Sequence, residues 1–311
     1  MLSKPITERL QWFERLAQQH IVTQHIEDDT LSARNIRWDI LRTDLIHPVC
    51  SGNKFFKLKY YLLDAMDKKH TSVTTYGGAW SNHIVASAFA AAFCGLGSKG
   101  IIRGEKPVHL SETLFQSMEE GMELEFISRQ EFAELSLKGP GNSGEYIIPQ
   151  GGFGPLGVKG AAEIMNYAMA EKYSHIFCAV GTGTMLAGLI TAFGDHEPGE
   201  IPHFIGIPVL NDTGLGEKID QLIRPSTLPY TLLYDFHFGG YAKKTAGLIQ
   251  FMNRFFEKYQ VPTDFVYTGK LMFGIQELVN SGYFQGGSRI LAVHSGGLQG
   301  NKSLKKGTLI Y

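Results

Sequence analysis

Lys54 stands in the run Ser51-Gly52-Asn53-Lys54, at the start of a segment whose apolar residues Phe55, Leu58 and Tyr61/Leu62 recur with a helical period. A lysine in that place has its stem fixed by the helix start and its amine on the loop side. Where burial or a nearby cation disfavours the ammonium form, such an amine becomes nucleophilic near neutral pH and can form a Schiff base. Lys57 and Lys59 follow closely, so an ordinary solvated lysine is the competing reading of this fragment alone.

Four further runs carry polar groups next to glycines. In Tyr76-Gly77-Gly78-Ala79-Trp80-Ser81-Asn82-His83, the amides of a helix start attract a carboxylate, and Ser81 and Asn82 add a hydroxyl and an amide; alternatively one of them is only the N-cap. His83 reads as a packing or orienting residue, since no HxxxH or HExxH spacing occurs. Val180-Gly181-Thr182-Gly183-Thr184 follows an apolar strand, so its backbone can curl around an anion while amides and hydroxyls donate to it. A dinucleotide fingerprint is the rival, but Gly181, Gly183 and Gly188 give GxGxxxxG rather than GxGxxG. Tyr267-Thr268-Gly269-Lys270 and His294-Ser295-Gly296-Gly297 place hydroxyls at expected strand ends, and Tyr241 follows Gly239-Gly240 in a loop. Each has a plain explanation as a turn residue, and the co-occurrence is the argument.

The elements that must position these groups alternate. Thr7 with Leu10, Phe13 and Leu16 predicts an N-capped first helix, and Ile36, Trp38 and Ile40 alternate as a strand. Helices are expected over Lys54–Met66 and from Asn82, and strands over Ser72–Tyr76, Gly100–Arg103, Met122–Ile127, Ile176–Val180, Phe204–Pro208, Thr231–Phe236, Asp264–Tyr267 and Arg289–Val293. This order implies an α/β architecture with crossover helices, in which ligands gather beyond the carboxyl ends of strands. The glycine- and proline-rich stretch Lys138–Gly157 is the clearest composition break and the expected hinge between two domains.

Composition narrows the partners. The 311 residues, 43% hydrophobic, can bury a substantial core, and 29 basic against 30 acidic residues leave no footprint for nucleic acid. Cys50, Cys94 and Cys178 are odd in number and lie far apart, which argues against a disulfide framework or a thiolate metal site and for a reducing cytosol. The polar first residues do not read as a signal peptide, and the longest apolar stretch, Ile84–Leu96, is too short to span a bilayer. A cytoplasmic protein acting on a small uncharged or zwitterionic molecule is expected.

Taken in order, GNKxxKL, GGxxSNH, GTGT, YTGK and HSGG resemble the family of 1-aminocyclopropane-1-carboxylate deaminase and D-cysteine desulfhydrase over roughly residues 40–300. The resemblance implies a pyridoxal 5'-phosphate (PLP) enzyme of fold type II, like tryptophan synthase β: two open, twisted, mostly parallel sheets flanked by helices. It also implies a large cofactor domain (1–57 and 156–311), a small domain (58–155) and a homodimer. By resemblance Lys54, preceded by Asn53, holds the cofactor covalently, Asn82 contacts its phenolic oxygen, and Gly181, Thr182, Gly183 and Thr184 hold its phosphate. Ser81 receives the substrate carboxylate or relays a proton, and Tyr267 and Tyr241 match two active-site tyrosines. Trp80 is bulkier than the resemblance leads one to expect, and the segment from Gly100 to Pro107 departs from the family pattern.

Where the deaminase has Glu after the tyrosine and Leu after the histidine, this chain has Thr268 and Ser295. A carboxylate at the pyridine nitrogen makes the ring a strong electron sink, whereas a hydroxyl, with Ser295 the preferred partner, leaves a weaker one. Expelling a thiolate needs less than opening a cyclopropane. The expectation is therefore α,β-elimination on D-cysteine or a related amino acid, giving pyruvate, ammonia and sulfide. The alternatives are a deaminase of the cyclopropane amino acid giving 2-oxobutyrate, a non-catalytic PLP-binding protein, and a nicotinamide-dependent dehydrogenase.

Overall fold

The computed structural model describes residues 6–138, 145–169, 172–194, 196–197, 201–226 and 228–311. The chain runs α1 (Ile6–His20), β1 (Thr23–His25), α2 (Asp29–Ala33), β2 (Arg37–Leu41), α3 (Gly52–Asp67), β3 (Ser72–Gly77), α4 (Asn82–Cys94), β4 (Gly97–Arg103), α5 (Glu112–Glu119), β5 (Met122–Ile127), α6 (Arg129–Lys138) and β6 (Tyr146–Ile148). It continues with α7 (Pro155–Ala162), β7 (His175–Val180), α8 (Thr184–Thr191), β8 (His203–Pro208), α9 (Leu215–Ile223), β9 (Tyr230–Leu232), α10 (Ala246–Tyr259), α11 (Thr268–Ser281) and β10 (Arg289–Val293).

Two sheets result, ordered β1-β2-β10-β7-β8-β9 and β5-β4-β3-β6. Every pairing is parallel except β1 with β2. Side chains alternate across a strand, so the larger sheet faces two cores. Ile176, Cys178 and Val180 of β7 enter one core with residues of α3, α7 and α8, while Phe177 and Ala179 enter the other with residues of α10 and α11. A smaller cluster of Ile84, Ala88, Ile102, Leu114 and Met122 joins the smaller sheet to α4 and α5.

Three sequence expectations differ from the structure. Thr7 lies inside α1, which already includes Ile6, and is not its N-cap. The strand expected over Thr231–Phe236 ends at Leu232 and gives way to a 3-10 turn at Tyr234–Phe236. Continuing the β8–β9 register would set Tyr234 against Pro208, which has no N–H to offer. Asp264–Tyr267 is a turn, because the Asp264 carboxylate draws in the amides of Val266, Tyr267 and Thr268 and bends the chain into α11. Within Lys138–Gly157, the expected hinge, residues 139–144 lie outside the described residues, and Tyr146–Ile148 forms the edge strand beside β3. Among the described residues no helix is long and apolar enough to cross a membrane, and no cluster of three or more His, Cys, Asp or Glu could hold a metal ion.

Candidate functional site

The loop after β10 and the starts of α3 and α4 are locked together. Gly52 has φ +58°, and a Cβ there would lie 1.9 Å from the Ser295 carbonyl oxygen. Asn53 N donates to that same oxygen at 3.2 Å, and Gly297 N donates to Ser51 Oγ at 3.3 Å. Gly297, at φ +79°, admits the Asn82 side chain, whose Nδ2 donates to the Gly297 carbonyl at 2.8 Å. Glycine is required at these positions because backbone and side chain pass where a Cβ would be.

Lys54 emerges from this junction half-buried, with Nζ donating to Asn53 Oδ1 at 2.8 Å. Burial lowers its pKa to about 8, against the opposing pull of Asp264 and Cys50. One helical turn on, Lys57 is buried, and burial together with the Lys54 charge pushes its pKa well down. Its Nζ has only a long contact, 3.4 Å, to the Gly151 carbonyl. Sequence reasoning left Lys57 as a surface neighbour; the signal was its i+3 spacing from Lys54, which sets both amines on one helix face.

The Gly181–Thr184 loop faces this second amine. A Cβ on Gly151 would lie 3.1 Å from Thr182 Cγ2, so the Lys57 contact and the threonine loop adjoin. Gly183 caps α8 in the left-handed region at φ +85°, where a Cβ would strike Ile219 at 2.7 Å. The hydroxyls of Thr182 and Thr184 lie 3.0 Å apart, one donating to the other and leaving one proton to give outward, and the first amides of α8 have no partner within the helix. An ammonium, two hydroxyls and a helix start are a donor set for a phosphate.

On the other wall, the Tyr267 ring packs on Gly181, where a Cβ would be 3.2 Å from its Cε1. The Tyr241 and Tyr267 rings stand edge to face, 6.1 Å apart at 75°. Burial first, then Tyr241, raises the Tyr267 pKa well above the usual phenol range, so it stays protonated. Thr268 is fully buried: its hydroxyl donates to Asp264 Oδ1 and accepts from Asp264 N, both at 2.8 Å. Among the described residues the Ser295 side chain makes no hydrogen bond of its own, so of the two candidate partners for a ring nitrogen only Ser295 has a free proton to give.

Ser81 caps α4, its Oγ accepting from Ile84 N at 3.4 Å, and is partly exposed beside Trp80, which is 38% exposed. His83 is buried, with Nε2 2.8 Å from Thr75 Oγ1. That hydroxyl gives its own proton to the Ile148 carbonyl, so Nε2 must carry the ring proton and Nδ1 is bare. Burial and the two lysines push the His83 pKa well down, which keeps the ring neutral. Asn82 Oδ1 and His83 Nδ1 are both buried without a partner. The amines of Lys54 and Lys57 and the hydroxyl of Ser295 are groups that could receive a phosphate-bearing aromatic aldehyde with a ring nitrogen, while the orphaned Asn82 Oδ1 and His83 Nδ1 are acceptors open to an O–H or N–H donor.

The comparisons agree with that chemistry. The model of the family described as pyridoxal-phosphate dependent enzyme matches residues 40–296. A provisionally named 1-aminocyclopropane-1-carboxylate deaminase of Pyrococcus horikoshii is 30% identical over 280 residues, covering 84% of each chain. A bifunctional D-cysteine desulfhydrase/1-aminocyclopropane-1-carboxylate deaminase of Arabidopsis thaliana, described as mitochondrial, is 26% identical over 298 residues, covering 84% of this chain and 72% of that one. A crystal structure described as an ACC deaminase homologue superposes with TM-score 0.77 and 27% identity, covering 93% of this chain and 95% of that one. A family match over residues 40–296 and a relative 30% identical across 84% of each chain place this protein among the pyridoxal-phosphate dependent enzymes related to 1-aminocyclopropane-1-carboxylate deaminase.

Proposed function

We propose that this enzyme carries out α,β-elimination on a small amino acid with a β leaving group, D-cysteine being the first choice, to give pyruvate, ammonia and hydrogen sulfide. The observation that carries the reading is the pair Thr268 and Ser295. The Thr268 proton is committed to Asp264, and the Asp264 carboxylate already accepts from Val266 N, Tyr267 N, Thr268 N and Thr268 Oγ1. Its lone pairs are full, so it reaches the site only as a buried charge. Ser295 is left to hold a neutral ring nitrogen, which suits expulsion of a thiolate more than opening of a strained carbon ring.

Bound pyridoxal phosphate supplies the electron sink that makes the substrate Cα–H acidic. Lys54, with its ammonium form disfavoured, takes the α-proton. Tyr267, held protonated by burial and braced by Tyr241, can give a proton to the departing sulfur. Ser81 and the start of α4 bind the substrate carboxylate through hydroxyl and amides. Asn82 and Asn53 orient the cofactor oxygen and the Lys54 amine.

The test is incubation of the purified protein with D-cysteine, L-cysteine and 1-aminocyclopropane-1-carboxylate, assaying pyruvate, sulfide and 2-oxobutyrate. Pyruvate and sulfide in equal amounts from D-cysteine support the reading. 2-Oxobutyrate from the cyclopropane substrate without sulfide release from either cysteine overturns it in favour of the deaminase.

A further inference from the structure

Lys270, the last residue of Tyr267-Thr268-Gly269-Lys270, is buried with no measurable exposure, yet among the described residues no carboxylate pairs with it. Its Nζ donates instead to three backbone carbonyls: Gly240 at 2.8 Å, His237 at 2.8 Å and Val209 at 3.3 Å. A buried ammonium is costly to desolvate, and burial lowers its pKa to about 8 against the distant pull of Asp264. An apolar side chain would fill the same space without that cost, so what the ammonium adds is the joining of three segments.

Those segments are specific. Val209 follows β8, His237 ends the 3-10 turn after β9, and Gly240 immediately precedes Tyr241. Around them Phe238, Gly239, Gly240 and Ala242 have φ of +53°, +87°, +116° and +55°. The glycines adopt this freely, but Phe238 and Ala242 hold left-handed backbone only where the surroundings impose it. Lys270 stands three residues after Tyr267 on α11, so one helical turn carries one tyrosine and grips the loop that carries the other.

We propose that Lys270 is the positioning residue for Tyr241: its ammonium holds the loop at 237–241 so that the Tyr241 ring stands edge to face with Tyr267. The inference rests on the reading that Tyr241 and Tyr267 serve the substrate.

A double-mutant cycle of Lys270→Met and Tyr241→Phe, together with hydrogen–deuterium exchange, tests it. In Lys270→Met, amide exchange over 238–243 rises at least about tenfold while the interiors of α10 and α11 keep wild-type protection. kcat/KM on D-cysteine falls about as far as in Tyr241→Phe, the double variant falls no further, and the visible band of lysine-bound cofactor is unchanged. Unchanged exchange in that loop, or an undiminished loss from Lys270→Met in the Tyr241→Phe background, overturns the proposal. Should Lys270→Met not fold, Lys270→Gln, which keeps an N–H donor on a shorter stem, still raises loop exchange, and wild-type exchange in it overturns the proposal. A wild-type enzyme inactive on D-cysteine would fault the proposed reaction, while the exchange result still decides whether Lys270 holds the loop.

Discussion

The Thr268 hydroxyl and Asp264 close a reciprocal pair at the start of α11, Oγ1 giving its proton to Oδ1 and accepting one from the Asp264 amide, each at 2.8 Å. Thr268, the less favoured of the two residues that the resemblance offered for the cofactor nitrogen, thus has its proton engaged in holding a helix start. Thr268→Val is expected to lower stability by about 1–3 kcal/mol, since a buried carboxylate oxygen and a buried amide each lose a partner. It leaves the visible spectrum of the bound cofactor unchanged. Ser295→Ala does the reverse, weakening cofactor binding by about tenfold, one hydrogen bond of about 1.4 kcal/mol, with little loss of stability. Urea denaturation and a cofactor titration of both variants read out the pair.

Lys54→Ala removes the amine that the site is built around. The variant is expected to fold, because Lys54 bonds only to its neighbour Asn53. It should show no visible band from lysine-bound cofactor and lose turnover by at least about a thousandfold. Absorbance after reconstitution and a product assay check this; retained turnover would refute the assignment of Lys54.

The lowered pKa of Lys54 sets a pH dependence for cofactor loading. The neutral amine is the reactive form, and in the folded protein it appears as pH rises through about 8 rather than through the ordinary lysine value of 10.5. The loading rate of the cofactor-free protein should climb about tenfold per pH unit below that point and level off above it. Stopped-flow absorbance between pH 6 and 10 measures the midpoint, with the range chosen to be roughly symmetric about the shifted value. A rate still climbing at the top of that range would mean that the amine is not shifted.

Gly52→Ala tests the junction of β10 with α3. The new Cβ would sit 1.9 Å from the Ser295 carbonyl oxygen, on a backbone with φ +58°. A loss of at least about 2 kcal/mol is expected, with cofactor affinity falling alongside, because the same displacement moves Ser295 and Lys54 apart. Thermal unfolding and a binding titration distinguish this from a purely local effect.

Periodicity and glycine placement made the α/β alternation and the loops after β3, β7 and β10 legible, because each element's preference is local: Ile176, Cys178 and Val180 alternate on a strand, and a glycine pair marks a helix start. Types and spacing also singled out Lys54, Asn82 and Gly181–Thr184, which need only a short run of chain to declare their chemistry. Asp264–Tyr267 read as a strand, since β-prone residues precede a glycine and the capping carboxylate shows only in three dimensions. Lys57 looked like a surface lysine, and Lys270 drew no reading of its own, because nothing in a sequence states that a side chain is surrounded. Their burial, the carbonyls around Lys270 and the lack of any opposing acid come from segments such as Val209 and His237, more than thirty residues distant. The sequence determined which groups could bind a phosphate and an aldehyde. Only the tertiary structure decided which of them keep a free proton or lone pair, because satisfaction of a buried polar atom depends on neighbours that the chain brings back from afar.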